Sequence, residues 1–158
     1  MKYDISALGN ALVDTQYMVD HDFLDEIGLE ADSMTLASAE EHSPIIDKLE
    51  SMGVESVSDC GGSATNSLVA ASYYGSKCHH VCRVANDEDG KKYLESLQKA
   101  GVQHIGYSKE DSEMPTGKCL IFVTPDAKRT MSSMLGISAY LGSKAVSYTH
   151  LTLPTTYE

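Results

Sequence analysis

Apolar residues come in short runs broken by Gly, Asn, Asp or Pro, a spacing that predicts many short elements. Tyr3 to Leu8 predicts a strand that stops at Gly9-Asn10, and Leu12 to Val19 predicts a second with partial alternation. His21 to Ile27 predicts a short helix stopped by Gly28, and Met34 to Leu36 a brief strand. Ser38-Ala-Glu-Glu41 is a capping box, and Ser43-Pro44 offers a second helix start. Ile45, Leu49 and Met52 then lie on one helical face until Gly53. Val54 to Cys60 predicts a strand, Gly61-Gly62 a junction, and Ala64 to Tyr74 a helix of small residues ended by Gly75. Lys77 to Val84 predicts a strand. Asp87 can cap a helix that buries Tyr93, Leu94, Leu97 and Ala100 and ends at Gly101. Lys118 to Val123 and Arg129 to Leu135 predict a hairpin about Pro125-Asp126.

Strands alternating with helices imply a parallel sheet with helices on its faces, whereas neighbouring strands without a helix imply a small antiparallel sheet attached to it. The 158 residues fit one domain, and 42% hydrophobic residues suffice for a core. With 12 basic and 23 acidic residues the net charge is −11, which argues against nucleic-acid binding but not against a small nucleotide held by local groups. No apolar run approaches the ~20 residues of a membrane span. An acid at position 4 interrupts any signal-peptide core, so a cytoplasmic protein with free thiols is expected. Cys78, His80 and Cys82 would share one strand face; a metal site and a buried core strand are both open readings.

Three places could carry chemistry. Gly9-Asn10-Ala-Leu-Val-Asp14 follows the first strand, at the carboxyl end where α/β sheets bind ligands, and a carboxylate there can accept from two hydroxyls. A turn-forming Asn10 and a solvated Asp14 are the plain alternative. Gly61-Gly62-Ser63-Ala64-Thr65-Asn66 lets backbone approach a ligand and opens a helix whose Asn66 can both donate and accept; a tight turn with a capping serine reads equally well. Thr116-Gly117-Lys118-Cys119 and Lys128-Arg129-Thr130 place a basic hairpin where it could close over a ligand or simply face solvent. Neither common glycine-rich nucleotide motif is present; Gly136 to Lys144 has one residue too many between its glycines to be a phosphate loop.

Taken in order, Gly9 to Asp14, Gly61 to Asn66, Arg83-Val-Ala-Asn-Asp-Glu-Asp-Gly90, Thr116 to Cys119 and Arg129-Thr130 resemble the PfkB (ribokinase-like) carbohydrate kinases, the adenosine-kinase-like branch above all. The resemblance covers residues 3 to 141 and departs at Ala85, where many members have glycine. It implies a Rossmann-like α/β/α core with a small β-sheet lid. It implies that Asn10 and Asp14 bind substrate hydroxyls, that Gly61, Gly62 and Asn66 line the same pocket, and that Thr116, Gly117 and Arg129 lie on lid strands over it. Asp87 and Gly90 would be structural. The implied activity is phosphoryl transfer from ATP with Mg²⁺ to a sugar or nucleoside, by an Asp in a Gly-Ala-Gly-Asp motif that this sequence does not contain. The chain is therefore expected to be the N-terminal part of such a kinase, truncated and inactive alone, with residues 1–144 belonging to the kinase. Residues 145–158 are expected to be foreign, because Val146 to Thr155 resembles a translated sequencing-library adapter; a natural polar tail is the alternative. A non-catalytic polyol-binding module and a ligand-free structural protein are the other function classes, and a homodimer through the exposed lid sheet is an expected assembly.

Overall fold

The computed structural model describes residues 3–107 and 113–142; the adapter-like segment lies outside the described residues. Among the described residues, eight strands and four α-helices follow in the order β1 (Ile5–Leu8), β2 (Leu12–Met18), α1 (His21–Glu26), β3 (Met34–Leu36), α2 (Ala39–Ser51), β4 (Ser56–Gly61), α3 (Ser63–Tyr73), β5 (Cys78–Arg83), α4 (Glu88–Lys99), β6 (Gln103–Tyr107), β7 (Gly117–Val123) and β8 (Arg129–Met134). A short 3-10 helix, Gly136–Tyr140, follows β8 where the rejected phosphate-loop pattern lies.

Two sheets result. One is parallel, ordered β1-β5-β6, and the other is mixed, ordered β3-β8-β7-β2-β4. The attached sheet is thus the larger of the two. The expected β7–β8 hairpin is there, and β2 extends it by pairing parallel to β7 and antiparallel to β4.

The parallel sheet owes its core to β5, buried at Cys78, His79, His80, Val81 and Cys82. Cys78 and Cys82 cluster with Leu68 of α3 and with Tyr93 and Leu97 of α4, so both helices cover one face of this sheet. Burial pushes the Cys82 thiol up to about 12, which keeps it a protonated core side chain. Among the described residues no group of three or more His, Cys, Asp and Glu could hold a metal ion.

In the mixed sheet, alternation along β2 sends Val13, Thr15 and Tyr17 inward. Tyr17, Leu120 and Phe122 pack with Phe23 and Leu24 of α1 and Leu49 of α2. The capping box sets the start of α2: the Ser38 hydroxyl accepts from Glu41 N–H and the Glu41 carboxylate accepts from Ser38 N–H at 2.7 Å. Pro44 consequently lies inside the helix rather than at its start. The other face of this sheet is open, with Met18, Met34, Leu36 and Val57 exposed around the row that holds Asp14.

Candidate functional site

The two sheets meet where β1 ends and β2 begins, and most of the expected site residues gather there. A Cβ on Gly9 would lie 2.7 Å from the Ala64 Cβ, so the first turn of α3 rests directly on this crossing. Asn10 follows with its side chain exposed. β2 then carries Asp14 into the mixed sheet, opposite Asp59 on β4 and Cys119 on β7. Residues in one row of a sheet point to the same face, so the Asp14 carboxyl emerges on the open side.

Gly61 and Gly62 are required for two different reasons. A Cβ on Gly61 would sit 2.0 Å from Asp14 Cγ and 2.1 and 2.2 Å from its two oxygens. The carboxyl group therefore occupies the space a side chain on Gly61 would fill. Gly62 has φ +97°, and a Cβ there would strike the Asn10 carbonyl oxygen at 2.5 Å. Left-handed backbone and a close approach both select glycine at this position. Gly62 is also the N-cap of α3, with no side-chain cap, so Ser63 is the first helical residue and not the cap. Asn66 N–H donates to the Gly62 carbonyl at 2.9 Å, which puts the exposed Asn66 side chain one turn into the helix.

The electrostatics centre on Asp14. Burial pushes its carboxyl up to about 6; the Arg129 guanidinium opposes this, and the Asp59 carboxylate across the ladder adds to it. Cys60, half-buried beside Asp59, is pushed up to about 11 by burial and by that acid. Arg129 opens β8 opposite Val123 and projects on the face that holds Asp14, acting on it through charge.

Thr116 and Gly117 have different surroundings. The Thr116 hydroxyl accepts from Ala85 N–H at 2.9 Å and donates to Asp87 Oδ1 at 2.6 Å, while Thr116 N–H donates to Asp87 Oδ2 at 2.8 Å. Asp87 also accepts from Gly90 N–H at 2.8 Å as the cap of α4. Burial alone would raise Asp87, but the hydrogen bonds from Thr116 and Gly90 hold it below its ordinary value. A Cβ on Gly117 would lie 2.7 Å from the carbonyl oxygens of Ala11 and Leu135. Both residues brace the start of β7 against its neighbours, whereas Asn10, Asp14, Asn66 and Arg129 present polar side chains that are exposed or half-buried.

Cys119, from the Thr116–Cys119 motif, flanks Asp14 on β7, whereas sequence reasoning missed Asp59 on its other side and the union of Thr65, His80 and Tyr93 in a polar cluster beneath Gly9. Alternation could have put Asp59 on one face of its strand, but only the register shows which residue it opposes.

The comparisons with known proteins agree with this architecture. The model of the pfkB family carbohydrate kinases matches residues 34–153, about three quarters of the chain, and runs past residue 144. Adenosine kinase 1 of Arabidopsis thaliana is 27% identical over 137 residues, covering 84% of this chain and 38% of that kinase. Ribokinase of Mus musculus is 29% identical over 86 residues, covering 53% of this chain and 26% of that enzyme. Among solved structures, adenosine kinase from Sinorhizobium meliloti superposes with a TM-score of 0.80 at 31% identity, over 92% of this chain and 43% of that one. A probable sugar kinase from Rhizobium etli gives 0.78 at 28%, over 91% and 42%. The chain thus spans less than half the length of these relatives. Its fold is that of the adenosine kinase and ribokinase group, and it belongs to the pfkB family of carbohydrate kinases.

Proposed function

We propose that this chain is part of an ATP-dependent kinase that phosphorylates a hydroxyl of a sugar or nucleoside, with adenosine-like nucleosides the favoured acceptors. Asn10, Asp14, Gly61, Gly62, Asn66 and Arg129 would form the acceptor pocket, braced by Thr116 and Gly117. The observation that carries this reading is the Asp14 carboxyl seated in the space left by Gly61, at the crossing of two sheets. There it is held on a strand bonded along both edges. Above pH 6 it is ionised and can accept from two adjacent hydroxyls, while Asn66 serves a third.

ATP and Mg²⁺ are the family's expected cofactors, and the described residues do not fit them. They offer no metal-holding group of three or more His, Cys, Asp and Glu, and the sequence has no glycine-rich phosphate loop. No phosphoryl-transfer step is therefore assigned to these residues. The 158-residue chain alone is expected to give no acceptor-dependent ATP consumption with adenosine, inosine, ribose or fructose and Mg²⁺. Turnover abolished by Asp14→Ala would overturn that expectation. In a full-length kinase carrying this segment, Asp14→Ala should lower kcat/KM more than tenfold, on the order of 2–3 kcal/mol for a lost charged hydrogen bond. Near-parental kcat/KM would refute the pocket assignment. A polyol-binding module, in which Asp14 and Asn66 would hold ligand hydroxyls, is the second reading. Calorimetric binding of adenosine or ribose, in a gene that never encodes a Gly-Ala-Gly-Asp segment, would favour it.

The open face of the mixed sheet, with its exposed Met18, Met34, Leu36 and Val57, is the surface through which a homodimer would form. A concentration-independent monomer in sedimentation would exclude that. No helix of the described residues is long and apolar enough to cross a membrane, and a cytoplasmic location is part of the same reading. Residues 145–158 are read as foreign to the kinase, and deleting them should leave Tm unchanged; a fall of many degrees would count against it.

A further inference from the structure

Directly beneath the pocket lies a polar chain with no exposure to solvent. Thr65 on α3, His80 on β5 and Tyr93 on α4 are each 0% exposed. Thr65 Oγ1 is 2.6 Å from the Tyr93 hydroxyl and 3.1 Å from His80 Nε2, and His80 Nδ1 is 3.3 Å from the Ala7 carbonyl oxygen on β1.

The bonding capacities of these groups leave one arrangement. A carbonyl oxygen only accepts, so His80 Nδ1 must carry the proton. Neutral imidazole then presents a lone pair at Nε2, and Thr65 must donate its single hydroxyl proton there. Thr65 Oγ1 is left to accept, so Tyr93 donates to it. The opposite direction would require a charged His80. Thr65 would then donate to Tyr93, whose own proton would find no acceptor in this set. Burial disfavours the charge more than the hydrogen bond to the Ala7 carbonyl favours it, and the neighbouring His79 and His104 add to the penalty. Burial also holds the Tyr93 hydroxyl protonated, with Cys82, Cys60 and Asp14 as its other titratable neighbours.

Position gives the chain its purpose. Ala7 stands three residues before Asn10, and Thr65 immediately precedes Asn66. A Cβ on Gly9 would come within 3.9 Å of His80 Cε1, and one on Gly62 within 3.6 Å of Thr65 Oγ1. The polar chain therefore underlies both glycine crossings and ties the end of β1 to the first turn of α3. An apolar trio of similar volume would fill this core without a polar mismatch, so packing alone does not explain hydroxyl and imidazole here.

We propose that Thr65 and His80 are positioning residues: the one-directional chain Tyr93→Thr65→His80→Ala7 holds Asn10 and Asn66 at a fixed separation across the pocket. This rests on the pocket reading above only for the identity of what is bound, not for the coupling itself.

Long-range ¹⁵N spectra of the whole chain test it without a ligand. In the unmodified protein His80 should be Nδ1-protonated with a bare Nε2, from pH 8 to well below the usual histidine midpoint of about 6.5. Thr65→Val should leave the Nδ1 proton on its Ala7 bond but shift the Nε2 resonance as the Thr65 hydrogen bond is lost, and shift or broaden the Asn10 and Asn66 amide signals. Thr65→Ser should restore both, and Tyr93→Phe, which keeps the two downstream bonds, should change neither. An Nε2-protonated His80 in the unmodified protein, or Asn10 and Asn66 signals unmoved in Thr65→Val, would overturn the proposal. Should Thr65→Val fail to fold, the tautomer in the unmodified protein and in Tyr93→Phe still decides. A calorimetric arm with adenosine should show binding weakened at least fivefold in Thr65→Val and within twofold in Thr65→Ser. If adenosine binds none of them, the pocket reading fails while the spectra still judge the coupling.

Discussion

Replacing Asp14 with asparagine should stabilise the fold at neutral pH while weakening the pocket. The Asp14 carboxyl is raised from 3.8 to about 6, so the folded protein holds it in an environment that resists its charge. Above pH 6 the folded state bears an ionised group that the unfolded chain ionises more easily, and folding is penalised. As pH falls from about 6 toward 4 the folded group takes up its proton and the penalty disappears. A shift of this size would amount to about 3 kcal/mol if solvent played no part. Asp14 is only half-buried, so screening reduces this to about 1 kcal/mol. For a chain of this size, that corresponds to a rise in Tm of roughly 2–4 °C. Asparagine keeps the shape beside Gly61 and removes the charge, so volume is not a confounder. The assay is thermal unfolding of both proteins at pH 7.5 and pH 4. Titration of His42, His79, His80 and His104, all lowered by burial, affects both proteins alike and cancels in the difference. A variant less stable at pH 7.5, or a gain of equal size at both pH values, would refute the reasoning.

Gly61→Ala should displace the Asp14 carboxyl by more than an ångström and weaken hydroxyl binding at least tenfold, at a stability cost of about 1 kcal/mol; calorimetry beside unfolding curves separates the two, and unchanged binding would sink the argument. Pro44→Ala should stabilise α2 by about 1 kcal/mol or more, because an exposed proline inside the helix withholds one backbone bond; a lower denaturation midpoint would contradict this. Arg129→Gln should move the Asp14 midpoint above about 6 and Asp59→Asn should move it below, read by carboxyl ¹³C titration; reversed directions would remove both residues from the electrostatic account.

Local chemistry made much of the fold legible. The capping box at Ser38 and the cap at Asp87 act over three residues, and the inward Val13, Thr15 and Tyr17 of β2 follow from alternation alone. What could not be read depends on partners far along the chain. β6 carries Gln103 and His104 in place of an apolar run, and its strand state comes from pairing with β5. The parallel union of β2 with β7, which made the mixed sheet the larger one, has no local signature. The site divides in the same way. Glycines and Asp14 announce themselves by residue type and position, whereas Asp59 gains meaning only from its register. Thr116, expected over the pocket, has its hydroxyl engaged by Ala85 and Asp87, residues some thirty positions earlier.

The β2–β7 ladder also dictates an order of assembly. It joins Leu12 to Gly117 and Met18 to Val123, closing a loop of roughly a hundred residues, whereas β5, α4 and β6 complete a parallel unit within thirty. Contacts so distant form slowly, because the chain entropy of closure is spent before any pairing repays it. On the ribosome β2 can pair with β4 as soon as Gly61 emerges, yet its other edge stays bare until β7 has been made. The strand that bears Asp14 therefore stays a sheet edge, open to another chain, while the residues between β4 and β7 are being made, and it gains its two-sided rigidity only once β7 arrives.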